Sequence, residues 1–202
     1  MGQASGWCRL WVWLGVVGLA LGAAQAVAQP SLAVGGVNFE RQLSVQGNAL
    51  QLNGAGLRYK AVFKVYAAGL YLPQAARTPD EVAAQPGAKR MSITMLRDID
   101  SNELGKLFTR GVEDNMPRTQ FAKLVPGLIR MSEIFSSHKK LVAGDVFTID
   151  WLPGQGTLIS VKGQPQGEPF KEPEFFNALL GIWLGKAPAD HLLKEALLGK
   201  GA

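Results

Sequence analysis

The chain has 202 residues, 47% of them apolar and 18% charged, a balance that supports a folded domain with a real core and excludes a disordered or low-complexity protein. Lysine and arginine total 21 against 16 acidic residues, for a net charge of +5. The only tight basic pairs are Lys89-Arg90 and Lys139-Lys140, so the concentrated basic stripe of a nucleic-acid binder is missing, and the balance supports only a weak preference for anions.

The first residues read as an export signal. Arg9 supplies positive charge, Leu10 to Ala24 is an uncharged apolar run, and Ala26-Val27-Ala28 meets the small-x-small rule for cleavage before Gln29. The run falls short of the ~20 apolar residues of a membrane span. The expectation is a signal peptide over 1–28, a single domain over 29–202 with no membrane span, and a periplasmic or otherwise exported location. Cleavage removes Arg9 and no acidic residue, lowering the charge from +5 to +4. It also removes Cys8, the only cysteine, which excludes a disulfide or thiolate metal site in the mature chain.

Val37 to Leu52 predicts short strands around a Gln46-Gly47-Asn48 turn, with Val37, Phe39, Leu43 and Val45 in odd register. Asn53-Gly54 predicts a second turn, releasing a long strand that ends at Pro73. On that strand Arg58 and Tyr66 project from one side with Val62 between them. Thr78 and Pro79 open a short helix to Gln85, and Met91, Ile93 and Met95 mark a further strand. Asp100 and Glu103 resemble a capping box ahead of a helix carrying Leu104, Leu107, Phe108 and Val112, broken at Met116-Pro117. A second helix places Phe121, Leu124, Val125, Leu128, Met131, Ile134 and Phe135 on one stripe across Pro126. Asp145–Trp151 and Thr157–Val161 form a hairpin, and Gln166 to Phe170 an edge strand. Helices follow over Glu172–Leu184 and, opened by Pro188, over Ala189–Leu198. This order gives an α+β fold, an antiparallel sheet with helices on one face.

The residue inventory argues against several chemistries. His138 and His191 sit at helix ends, with no Gly-x-Ser-x-Gly elbow and no metal-ligand spacing, so no catalytic residue, cofactor or metal is expected. Gly54-Ala55-Gly56 precedes a strand instead of opening a helix, which rules out a dinucleotide fingerprint. Trp151 and Trp183 are core or pocket-wall candidates. Arg58 lies among Leu57, Val62, Phe63 and Val65, where a buried charge needs a partner, and a carboxylate is the best geometric match.

Gly54-Ala55-Gly56-Leu57-Arg58, followed by Gly69-Leu70-Tyr71-Leu72, two helices, a hairpin and the closing Leu184-Gly185-Lys186, resembles the chalcone isomerase fold, and is similar above all to bacterial exported chalcone isomerase-like proteins. The likeness runs from Val37 to Gly199. It implies an open-faced β-sandwich, a large antiparallel sheet under a helix layer, with a ligand cleft between them. In the plant isomerases of this family an arginine after the glycine turn steers the substrate phenolate, a threonine and a tyrosine hold water at the ketone, and a lysine and an asparagine line the cleft. Only the arginine carries over clearly, to Arg58. The threonine falls on Tyr66, the tyrosine near Leu104, the lysine at Lys106 or Leu107, the asparagine near Gly111, and a polar residue of the penultimate helix on Ile182-Trp183-Leu184. Losing one positioned donor costs about 10²–10³ in rate. What remains is similar to the fatty-acid-binding branch of the fold, where an arginine and a tyrosine grip a carboxylate. The resemblance thus implies a non-catalytic binding protein for a fatty acid or similar amphipathic anion, with Arg58 and Tyr66 at the head group and Leu104, Phe108, Leu128 and Trp183 as walls. The alternatives are an isomerase (intramolecular lyase) on another substrate, or a cell-envelope interaction module in which Arg58 pairs with an internal acid such as Glu113.

Overall fold

The computed structural model describes residues 1–2 and 30–200; the expected leader therefore lies outside the described residues apart from Met1 and Gly2. β1 (Ser31–Val34) and β2 (Val37–Glu40) form a small hairpin, followed by β3 (Gln42–Val45). The run read as one strand after an Asn53-Gly54 turn is two strands. β4 (Asn48–Lys60) passes straight through Asn53 and Gly54, and β5 (Phe63–Leu72) returns antiparallel after a turn at Ala61-Val62. The expected turn is a bulge: Leu52 faces Tyr71 and Gly54 faces Leu70, which leaves Asn53 as an extra residue on β4. Its side chain donates to Leu197 O at 2.7 Å and accepts from Ala76 N at 2.7 Å.

α1 (Pro79–Ala84) starts as predicted, with Thr78 and Glu81 closing a reciprocal capping box. β6 (Lys89–Met95) buries Met91, Ile93 and Met95. After β7 (Ile99–Asp100), α2 (Ser101–Glu113) is capped by Asp100, which accepts from Asn102 N and Glu103 N; Glu103 does not reciprocate but pairs with Lys60 at 3.8 Å. α3 (Arg118–Ser136) buries Leu124, Leu128, Met131 and Phe135. β8 (Lys140–Leu141) pairs with β7, and β9 (Val146–Leu152) with β10 (Gly156–Val161) as the expected hairpin. The edge strand over Gln166–Phe170 is not formed. The chain makes only β11 (Gln164–Pro165) and a lone bridge from Phe170 to Thr157, because Pro165, Gly167 and Pro169 interrupt any ladder. α4 (Pro173–Leu184) and α5 (His191–Leu197) complete the fold, and α5 starts two residues later than expected because Asp190, not Pro188, is its cap.

Seven strands form one antiparallel sheet in the order β11-β10-β9-β6-β5-β4-β3. Its inner face packs Leu70, Met91, Ile93, Phe147 and Ile149 against the helices, and its outer face packs Ala67 and Tyr71 under Phe39 and Val45 of the amino-terminal strands. This is the α+β, open-faced architecture that the sequence predicts. Among the described residues, no helix is long and apolar enough to cross a membrane.

Candidate ligand-binding site

Arg58 and Tyr66 stand directly opposite each other on neighbouring strands, β4 and β5. Side chains in such a pair lie about 4.5–5.5 Å apart at Cβ on one face. The pairing depends on a second bulge. Tyr59 faces Lys64, so an unbroken ladder would put Val65 opposite Arg58; the extra residue at Val65 brings Tyr66 there instead. The two residues therefore share a face across two strands and not along one, and Val62 does not lie between them. It sits at the hairpin tip and is 82% exposed.

The two polar groups open onto a cleft of about 280 Å³ between the sheet and α2, α4 and the segment before α5. That is close to the lower end of ordinary ligand pockets, about 300–1,000 Å³. Leu104, Leu107 and Phe108 of α2 form one wall, and Ile182 and Trp183 of α4 form another. Phe108 meets Trp183 edge-on at 5.8 Å and stacks on Phe135 at 5.4 Å, which fixes the wall. Of the expected wall residues, Leu104, Phe108 and Trp183 line the cleft. Leu128 does not: it is buried on α3, which packs against the far side of α2, and it borders a separate surface groove with Thr109 and Phe121. Lys106 likewise faces another groove, so Leu107 occupies the cleft position at which the resemblance would place a lysine.

Tyr66 is held by a hydrogen bond from the Trp183 indole, Nε1 to hydroxyl oxygen at 2.9 Å. Indole nitrogen is a donor only, so the phenol oxygen accepts here and its own proton is left to donate into the cleft. Burial pushes the Tyr66 pKa up to about 12, with the Trp183 bond and the Arg58 charge acting the other way, and the group is neutral at physiological pH.

Arg58 has a partner that the sequence reading missed. Asp190 Oδ2 lies 3.6 Å from Arg58 Nη1, an ion pair beyond hydrogen-bonding distance, with the two side chains 27% and 12% exposed. The same carboxylate accepts from Tyr59 N at 3.1 Å and caps α5 through Leu192 N at 2.9 Å and Leu193 N at 3.1 Å. Asp190 thus accepts three backbone N–H groups and holds Arg58 only loosely. Glu113 is not the acid at this site. Lys60, Arg110 and Asp114 also line the cleft and were likewise missed.

A family model described as chalcone isomerase-like matches residues 31–199. The chain belongs to the chalcone isomerase-like family. No curated protein matches it. Among solved structures, this chalcone isomerase-like chain is similar to a fatty-acid binding protein of Arabidopsis thaliana, with a TM-score of 0.66 and 16% sequence identity, covering 84% of this chain and 96% of that one. At that identity the likeness shows the fold.

The pKa shifts predict how stability varies with pH. Tyr71, buried on the outer face, is also pushed up to about 12, by desolvation and then by Glu40. A phenol with a raised folded-state pKa keeps its proton where the unfolded chain releases one. Below about pH 10 neither tyrosine contributes a slope, and from pH 10 to 12 stability falls. Each adds at most about 1.4 kcal/mol per pH unit to the decline. Urea unfolding across this range should show Tyr66→Phe with a shallower fall than wild type; an unchanged slope would show that the phenol titrates normally.

Proposed function

We propose that this protein is a non-catalytic, exported binding protein for a fatty acid or a similar amphipathic carboxylate. One observation carries the reading: among the described residues, an arginine whose N–H groups make no hydrogen bond faces a tyrosine whose hydroxyl only accepts one, at a cleft walled by leucine, phenylalanine and tryptophan and edged by Lys60, Arg110 and Asp114. Two donors, one of them charged, suit a carboxylate head group, and such charge-assisted bonds contribute about 1.5–3 kcal/mol each. The walls suit an alkyl tail, at about 0.8 kcal/mol per buried methylene. The fold shared with a plant fatty-acid binding protein supports this reading, and Leu104 and Leu107 in place of hydroxyl and amine groups support binding over isomerisation. Export rests on the leader-like first 28 residues.

The test is titration with laurate and palmitate, read by calorimetry and native mass spectrometry. Arg58→Ala should weaken binding by about 10- to 100-fold, and Tyr66→Phe by a smaller factor. Equal binding by wild type and Arg58→Ala would end the carboxylate clamp. Turnover of a chalcone above its spontaneous rate would restore the isomerase alternative.

A further inference from the structure

The tip of the β4–β5 hairpin carries features that ligand binding does not account for. Val62 is 82% exposed and Phe63 is 59% exposed. Two-residue hairpin turns ordinarily carry Asn-Gly or Asp-Gly, which accept positive φ without strain. Here Ala61 takes φ +55° and the neighbouring tip residue is a β-branched valine. Folding alone has no use for an apolar side chain at that position.

The charges around the tip are mostly of one sign. Lys60 and Lys64 flank it in sequence, and the Arg97 guanidinium lies 5.0 Å from the Phe63 ring centre. The acids nearby are Glu103, 3.8 Å from Lys60, Asp98, which is taken up by Lys140 at 3.0 Å, and at the hairpin base Asp190, which is mostly buried and paired with Arg58. Apolar side chains set among cations form the pattern that inserts into an anionic interface. Leu192, 78% exposed in the first turn of α5, stands at the same end of the sheet, since its cap Asp190 is bonded to Tyr59 at the hairpin base. Lys60 at the foot of the tip also lines the cleft.

We propose that the β4–β5 tip docks on an anionic lipid bilayer, with Val62 and Phe63 entering the headgroup layer and Lys60, Lys64 and Arg97 meeting lipid phosphates. Docking in this pose sets the mouth of the cleft at the bilayer surface. Exchange of an amphipathic ligand with the membrane rests on the function proposed above, whereas docking itself does not.

The experiment is flotation of the ligand-free protein with vesicles of phosphatidylcholine and phosphatidylglycerol in equal parts, against vesicles of phosphatidylcholine alone. Wild type should float with the mixed vesicles and lose binding as salt rises. Val62→Asp should lower binding by at least about tenfold, through lost apolar insertion and added repulsion. Lys64→Gln, which leaves the turn intact, should lower it by about fivefold. The proposal is overturned if wild type does not bind the mixed vesicles, or if Val62→Asp binds them as well as wild type. Tip-dependent dimerisation without vesicle binding would also overturn it. A protein that floats but takes up no fatty acid would keep the docking and lose the carboxylate clamp.

Discussion

Asp190→Ala should destabilise the protein by about 2–4 kcal/mol while tightening its hold on a carboxylate. Three contributions set the stability loss. The cap of α5 is worth about 0.5–2 kcal/mol. The Tyr59 N–H loses its acceptor in a partly buried site, at about 1–3 kcal/mol. The Arg58 ion pair, with a 27% exposed arginine at 3.6 Å, adds no more than about 1 kcal/mol. The backbone roles therefore outweigh the charge. Asp190→Asn separates them, because one amide oxygen can replace part of the backbone bonding without any charge. It should cost about 1–2 kcal/mol and raise fatty-acid affinity by about fivefold, since Arg58 is no longer shared with a resident carboxylate. Urea unfolding and the same titration, done on both variants, check this. If Asp190→Asn weakens binding as Arg58→Ala does, Asp190 orients the arginine and does not compete for it.

Most of the architecture is legible in the sequence because its periodicity has one simple cause. Met91, Ile93 and Met95, and the alternation through β9 and β10, are strands with one face on a core. The hairpin at Ala61-Val62 is not legible, because its turn contains no glycine, asparagine or proline. A run of strand formers without such a break reads as one strand. Arg58 and Tyr66 share a face on either reading, though only the bulge at Val65 sets them side by side. Bulges have no short sequence signature, so the geometry of the site was out of reach. The stripe on α3 marks Leu128 as buried but cannot say against what, and it is packed behind α2 and not in the cleft. Asp190 was within reach: Asp-His-Leu-Leu is an ordinary cap before a helix, and Pro188 drew the helix start away from it.

Gly54→Val should cost more than about 3 kcal/mol, although strand propensity points the other way. Valine in place of glycine inside a strand gains up to about 1 kcal/mol on backbone and packing preference. Gly54 has no positive φ to protect, so that gain would apply if space allowed it. Space does not allow it. A Cβ at this position would collide with the carbonyl oxygen of Ala196 and lie 2.8 Å from that of Leu197, both near the carboxyl end of α5. One at Gly56 would meet the Ala196 Cβ at 2.7 Å. The obstacle at Gly54 is backbone, which cannot rotate away as a side chain can, so α5 must lift from β4. Lifting it strains the Asn53 bond to Leu197 and draws Asp190 from Arg58. Overpacking costs about 1–3 kcal/mol where side chains can adjust, and more where a helix must move. Gly181→Ala is the contrast. Its Cβ would meet only the Asn115 Cβ at 3.5 Å, an ordinary contact, and in mid-helix it should stabilise by up to about 1 kcal/mol. Thermal and urea unfolding of the two variants should therefore diverge in sign. A Gly54→Val protein as stable as wild type would mean that α5 does not lie against β4, and the loose pairing of Asp190 with Arg58 would fall with it.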